Sequence, residues 1–174
     1  MKILMLDFDG VIIPEQAYLY WNGRSDRKRK NPELSRAARS CPICISNLNY
    51  VCTQVPDLKI VISSTWRKYF DLVQLKEVLE EDGFKFCDLI VGITPSIPRG
   101  LSDLNGRRGT EIQAWLDEYK EAEVIDWVAI DDHKYNIPVD RLVHTQQEVG
   151  FTLLQAYSLI ERFNSEWERP LFVM

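Results

Sequence analysis

The chain has 174 residues, of which 45% are hydrophobic and 27% charged, and a formal net charge of −5. These values describe one soluble globular domain, residues 1–174, with a sizeable core, and no apolar run reaches the length of a membrane span. The apolar start Ile3 to Leu6 is too short for a signal-peptide core and is cut by Asp7, so a cytoplasmic location is expected.

The first element is a strand over about Lys2 to Leu6. Its continuous apolar run fits burial on both faces. Asp7 and Asp9 then fall at its carboxyl end, and Gly10 allows a sharp turn. Ligands of open α/β sheets bind at the carboxyl ends of strands. Two acids there can hold a hard cation, or divide nucleophilic and acid–base work between them.

Residues Val11 to Arg39 show no clear periodicity and read as an insertion leaving the turn, as a hairpin with a mobile tip. They contain an aromatic cluster, Tyr18, Tyr20 and Trp21. From Arg24 to Arg39, seven basic residues stand against two acids, a local charge of +5 that leaves −10 for the rest of the chain. Such a segment suits either a phosphate backbone or a solvated flap.

Ser40 can cap a helix running to about Gln54, with Pro42 in its first turn. Cys41-Pro42-Ile43-Cys44 has the spacing of a redox or zinc motif, but there is no second pair for zinc. Cys41, Cys44, Leu48, Val51, Cys52 and Val55 share one helical face, which favours a core role.

Leu58 to Ile62 is a second buried strand, ending in Ser63-Ser64-Thr65. A helix is expected from about Trp66 to Glu81, with Tyr69, Leu72, Val73, Leu75, Val78 and Leu79 as its apolar side and Gly83 as its stop. Asp88 to Gly92 is a third strand. A Pro- and Gly-rich loop from Thr94 to Gly109 leads to the capping box Thr110–Gln113 and a helix to about Glu121. Asp126 to Ile130 is the fourth strand, closed by Asp131-Asp132. Arg141 to His144 is the fifth. Two capping boxes compete for the last helix, and Gly150 between them favours the later one, Thr152 with Gln155, with an end near Asn164. Alternating strands and helices imply a parallel sheet covered on both faces.

The strand-end residues Asp7, Asp9, Ser63, Ser64, Asp131 and Asp132, with Arg108 before a helix, resemble in order the four motifs of the haloacid dehalogenase-like (HAD) superfamily. Three stretches are similar in detail to the HAD domain of the Swiss Army Knife RNA-repair group. They are Val61-Ile62-Ser63-Ser64-Thr65-Trp66-Arg67, Arg108-Gly109-Thr110-Glu111-Ile112 with Trp115-Leu116, and Ala129-Ile130-Asp131-Asp132. The resemblance implies a HAD-like Rossmannoid three-layer sandwich, with a central parallel five-stranded sheet and a small cap, residues 11–39, after strand one. It also implies an Mg²⁺-dependent phosphatase. Asp7 would attack phosphorus and form an aspartyl-phosphate. Asp9 would act as general acid and then base, and its carbonyl would bind the metal. Ser63, with Ser64 beside it, and Arg108 would hold the phosphoryl group. Asp7, Asp9, Asp131 and Asp132 would make an all-oxygen Mg²⁺ site.

Motif three is most often Lys in the superfamily. Here it is Arg, which keeps the charge and can grip two phosphoryl oxygens. Arg108 fits the RGxEI pattern and Arg107 is the alternative. Trp66 and Arg67 suit packing and substrate contact alike, and His133 has no role that the resemblance requires. The expected substrate is a phosphomonoester. A small cap leaves an open site, which suits large substrates such as nucleic-acid ends, with the 24–39 segment as a polynucleotide contact. A small-metabolite phosphatase and a non-catalytic binding module of the same fold are the alternatives. A phospho-accepting receiver domain fits the parallel sheet but not the DxDG arrangement.

Overall fold

The computed structural model describes residues 1–25, 28–97, 106–119, 124 and 126–165. Five parallel strands form one sheet: β1 (Lys2–Leu6), β2 (Leu58–Ile62), β3 (Ile90–Ile93), β4 (Asp126–Asp131) and β5 (Leu142–His144), in the order β3-β2-β1-β4-β5. β1 is central, so its apolar run is covered on both sides. Leu4 and Leu6 join the larger core with helices α2 (Pro42–Gln54), α3 (Leu72–Glu81) and α5 (Leu153–Asn164). Ile3 and Met5 face the opposite layer, where Ile112 and Trp115 of α4 (Arg108–Glu118) pack. The period-two alternation of one strand thus divides the core into two layers. This is the three-layer α/β sandwich expected from the sequence. Cys41, Cys44 and Cys52 are free thiols in the larger core.

The ladder continues one residue past the strands. The Asp7 amide donates to the Ile130 carbonyl (3.1 Å), Ser63 to Leu6 (2.8 Å), Thr94 to Ile62 (3.0 Å) and Thr145 to Asp131 (3.0 Å). The carboxyl edge of the sheet is therefore a buried polar row, Thr94, Ser63, Asp7, Asp131, Thr145. Gly10 turns the chain above it with φ +67°, and a Cβ there would lie 2.4 Å from Asp132 Oδ2. Only glycine serves both demands.

Several expectations need correction. Among the described residues, 11–39 form no hairpin. Val11, Ile12 and Ile13 are buried, α1 (Glu15–Trp21) follows, and a 3-10 turn spans Pro32–Leu34. Nor is the basic stretch uniformly solvated. Arg29 is buried, and its guanidinium donates to Asp82 Oδ1 (2.7 Å) and Oδ2 (3.0 Å). Arg39 adds a 2.8 Å bond to the same Oδ1. Ser40 does not cap α2. Its amide donates to Asp82 Oδ2 (2.9 Å), and Cys41 occupies the cap position with no side-chain bond.

The helix expected over 66–81 is two elements. Ser64 caps a 3-10 turn over Thr65–Lys68, and Asp71 then opens α3 with a complete capping box to Gln74. Tyr69 falls between the two elements and is exposed, and Val73 is exposed in the first turn of α3. The third strand begins at Ile90, after a 3-10 turn over Cys87–Leu89. Thr110 forms no capping box, since α4 starts at Arg108. The Asn136 side chain accepts from the Gly109 amide (2.8 Å) and donates to the Thr110 hydroxyl (2.8 Å), so a neighbouring loop caps this helix. Thr152 does open α5 with the expected box. The far end of the helix expected to reach Glu121, much of the Thr94–Gly109 loop, Arg27 and the tail past Ser165 lie outside the described residues.

Candidate active site

Three elements bring the charged residues together. Asp7 follows β1, Asp131 ends β4 beside it, and Arg108 enters from the first turn of α4. Arg108 Nη2 lies 3.3 Å from Asp7 Oδ2 and Nε lies 3.4 Å from Asp131 Oδ2. Gly109 lets Asn136 pack against the start of α4, because a Cβ there would meet the Asn136 carbonyl oxygen at 2.3 Å. Arg107, the alternative, instead donates to the Ile97 carbonyl. Arg108 is 6% exposed, and its Nη1 has no hydrogen-bond partner among the described residues. A buried guanidinium with long bonds and a spare donor is suited to receiving an anion.

The electrostatics follow from burial. Burial drives the Asp7 carboxyl above the usual range, against the opposing pull of Arg108. Burial and the nearby Asp7 charge push Asp131 up to about 7. Partial desolvation raises Asp9, and a hydrogen bond from Trp66 works against that rise. Burial works against the Arg108 charge, yet the Asp7 and Asp131 carboxylates outweigh it and raise this guanidinium. Such crowding of acids around one cation leaves surplus negative charge, which a hard cation would neutralise. The oxygens of Asp131 and Asp132 and a nitrogen of His133 cluster within 4.8 Å of one another. The carboxylate donors Asp7, Asp131 and Asp132 fit Mg²⁺ rather than a soft metal.

The remaining sequence-predicted residues are placed as follows. Asp9 lines the same cleft as Arg108, and its Oδ2 accepts from the Trp66 indole N–H (3.0 Å). Ser63 is buried in the edge row, 3.5 Å from the Thr94 hydroxyl. Ser64 is also buried. Its hydroxyl accepts from the Trp66 amide (3.4 Å), and its proximity to Asp7 opposes the rise of that carboxyl. Asp132 accepts at Oδ1 from the His133 ring (2.8 Å), a contact that raises the histidine. Arg67 pairs with Glu111 of α4 and is a structural tie. A cleft of about 340 Å³ opens over this group, lined by Asp7, Asp9, Arg108 and Asp132 together with Tyr18 and Thr65.

Sequence reasoning left the role of Trp66 open and missed two further contributors, Thr145 and Tyr135. Trp66 fixes Asp9, and Trp66 is itself held against Phe8 and Phe70, with ring centroids 5.4 and 5.6 Å away. Thr145 donates to the Gly10 carbonyl (2.9 Å) and anchors the turn after β1. It follows β5, so the rule that located the other strand ends would have found it. Tyr135, in the left-handed region at φ 39°, sets its ring 5.7 Å from the Arg108 guanidinium.

Compared with known proteins, the chain matches, over residues 3–156, the model of a family described as the HAD domain in Swiss Army Knife RNA repair proteins. No curated protein and no solved structure matches it.

Proposed function

Since the chain belongs to the family of HAD domains in Swiss Army Knife RNA repair proteins, we propose that it is a phosphomonoester hydrolase that works through an aspartyl-phosphate on Asp7. The single observation that carries this reading is Arg108, a buried cation beside Asp7 that lines the cleft and keeps one guanidinium nitrogen without a partner among the described residues. A phosphoryl group placed there meets the nucleophile on one side and a charge-assisted donor on the other.

The steps balance on this chain's own groups. Asp7 attacks phosphorus while the bond to the leaving oxygen breaks. Asp9 gives its proton to that oxygen, and its raised pKa keeps the proton available. Asp9 then takes a proton from water, which attacks the same phosphorus. The bond to Asp7 breaks and inorganic phosphate leaves. Ser63 and the backbone beside it hold phosphoryl oxygens from the end of β2. Mg²⁺ bound by Asp7, Asp131, Asp132 and the Asp9 carbonyl would supply charge against the phosphoryl oxygens.

The substrate class follows from the family description together with the exposed cations of the insertion. Lys28, Lys30 and Arg36 remain exposed after Arg29 and Arg39 are bound to Asp82. In this reading residues 11–39 are a small cap that attracts a phosphate backbone, and the substrate is a phosphorylated nucleic-acid end. No helix among the described residues is long and apolar enough to cross a membrane.

The test is phosphate release from mononucleotides, 3′- and 5′-phosphorylated oligonucleotides and sugar phosphates. Release should require Mg²⁺, stop with chelator and return when Mg²⁺ is restored. Full release in excess chelator would overturn the metal assignment. No release from any ester would favour a binding module of the same fold.

A further inference from the structure

The phosphoryl cleft does not end at Asp9. A groove of about 760 Å³ continues from it, and Asp9, Tyr18 and Thr65 line both. Its other walls are Trp66, Tyr69 and Phe70 on one side and Arg36 on the other. The volume falls within the range of about 300–1,000 Å³ common to ligand pockets. Past Arg36 a further concavity of about 860 Å³ reaches Lys28.

The position of Asp9 decides what enters this groove. A general acid must reach the oxygen it protonates, so the leaving oxygen lies at the wall that cleft and groove share. The alcohol bearing that oxygen then extends into the groove. There it meets aromatic faces that packing does not account for. Tyr69 is 78% exposed and Tyr18 is 59% exposed, whereas Trp66 is fixed by its bond to Asp9 and its contact with Phe8. Glu33 also lines the groove, so charge alone does not select the occupant; the aromatic faces do. Flat faces next to a cation select a planar group that carries phosphate on its far side. Unpaired bases stack on such side chains with little regard to sequence.

We propose that this groove is the leaving-group subsite, and that it takes the terminal nucleoside of a single-stranded polynucleotide whose end carries the phosphomonoester. The base stacks on Tyr69 and Tyr18, and Arg36 meets the next phosphate along the strand. This deepens the phosphatase reading and rests on it for the direction of the leaving group.

The test compares the wild type with Tyr69→Ala, Tyr69→Trp and Arg36→Gln. The substrates are single-stranded oligonucleotides phosphorylated at the 3′ or the 5′ end, the matching duplexes, mononucleotides and glycerol phosphate. Tyr69→Ala should raise KM for the single-stranded ends about tenfold with little change in kcat, lowering their kcat/KM relative to glycerol phosphate by the same factor. Tyr69→Trp, which keeps an aromatic face, should restore the preference. Arg36→Gln should raise KM for oligonucleotides and not for mononucleotides. The arm with the lower KM identifies which end is used. Equal effects of Tyr69→Ala on oligonucleotide and glycerol phosphate, or no effect on either, would overturn the subsite. Preference for duplex ends would do the same.

A binding arm separates this from failure of the phosphatase reading. In the Asp7→Asn background, fluorescence anisotropy of a phosphorylated single strand should show about a tenfold weaker Kd when Tyr69→Ala is added. If no ester is hydrolysed yet this weakening is seen, the catalytic reading fails and the groove stands. If the single strand binds equally well with and without Tyr69, the groove fails whatever the turnover.

Discussion

Two of the buried arginine–carboxylate clusters among the described residues, one around Asp82 and one around Asp7, are built to opposite specifications. Around Asp82 every donor of the Arg29 guanidinium is spent. Arg29 reaches both carboxylate oxygens and also the carbonyls of Ala37, Ala38 and Val78, while Arg39 and the Ser40 amide share the same acid. Around Arg108 the contacts to Asp7 and Asp131 are 3.3 and 3.4 Å long, one guanidinium nitrogen has no partner among the described residues, and both carboxyls are pushed up chiefly by burial. The same side chains at similar burial thus serve two ends. A saturated cluster fixes one conformation, whereas an unsaturated one keeps capacity for a ligand.

Substitutions should separate the two. The largest effect is expected at Asp82→Ala, which strands two buried guanidinium groups and should cost about 3–5 kcal/mol of stability. Denaturant unfolding would register this, and kcat per folded molecule should stay unchanged. A loss of turnover without loss of stability would erase the distinction. Next is Arg108→Lys, which keeps the charge but loses the planar fork. It should lower kcat/KM about a hundredfold at nearly unchanged melting temperature. Arg29→Lys should show the reverse pattern.

A smaller effect divides the two acids after β4. Asp131 stands beside Asp7 and shares Arg108 with it, whereas Asp132 already accepts from the His133 ring. Asp131→Ala should therefore weaken Mg²⁺ binding more than Asp132→Ala, by about tenfold as read by calorimetry. The reverse order would reassign the metal ligand.

Much of the fold is written locally. Strands β1, β2 and β4 are apolar runs that end in acids or serines, and Thr152 with Gln155 marks the start of α5. The strand-end residues were legible because each follows directly on such a run. The failures share a cause, which is that the deciding partner is far away in sequence. Tyr69 and Val73 fit a helical apolar stripe, yet the Asp71 cap starts α3 after Tyr69, which leaves Tyr69 outside the helix and Val73 in its exposed first turn. Arg29 and Arg39 read as solvated charge because Asp82 lies some fifty and forty residues on, a separation visible only once α3 is in place. Trp66 could not be assigned for the same reason, since its indole reaches Asp9 across two strand ends.

The central claim is that the unsaturated cluster does chemistry and that Asp7 is its nucleophile. Its most direct test is Asp7→Asn, assayed for Mg²⁺-dependent phosphate release beside a thermal melt. The account predicts turnover lower by at least about a thousandfold. It also predicts a melting temperature equal to or above that of the wild type, because a crowded buried carboxyl is replaced by a neutral group. A folded Asp7→Asn protein that releases phosphate at near wild-type rate would contradict it.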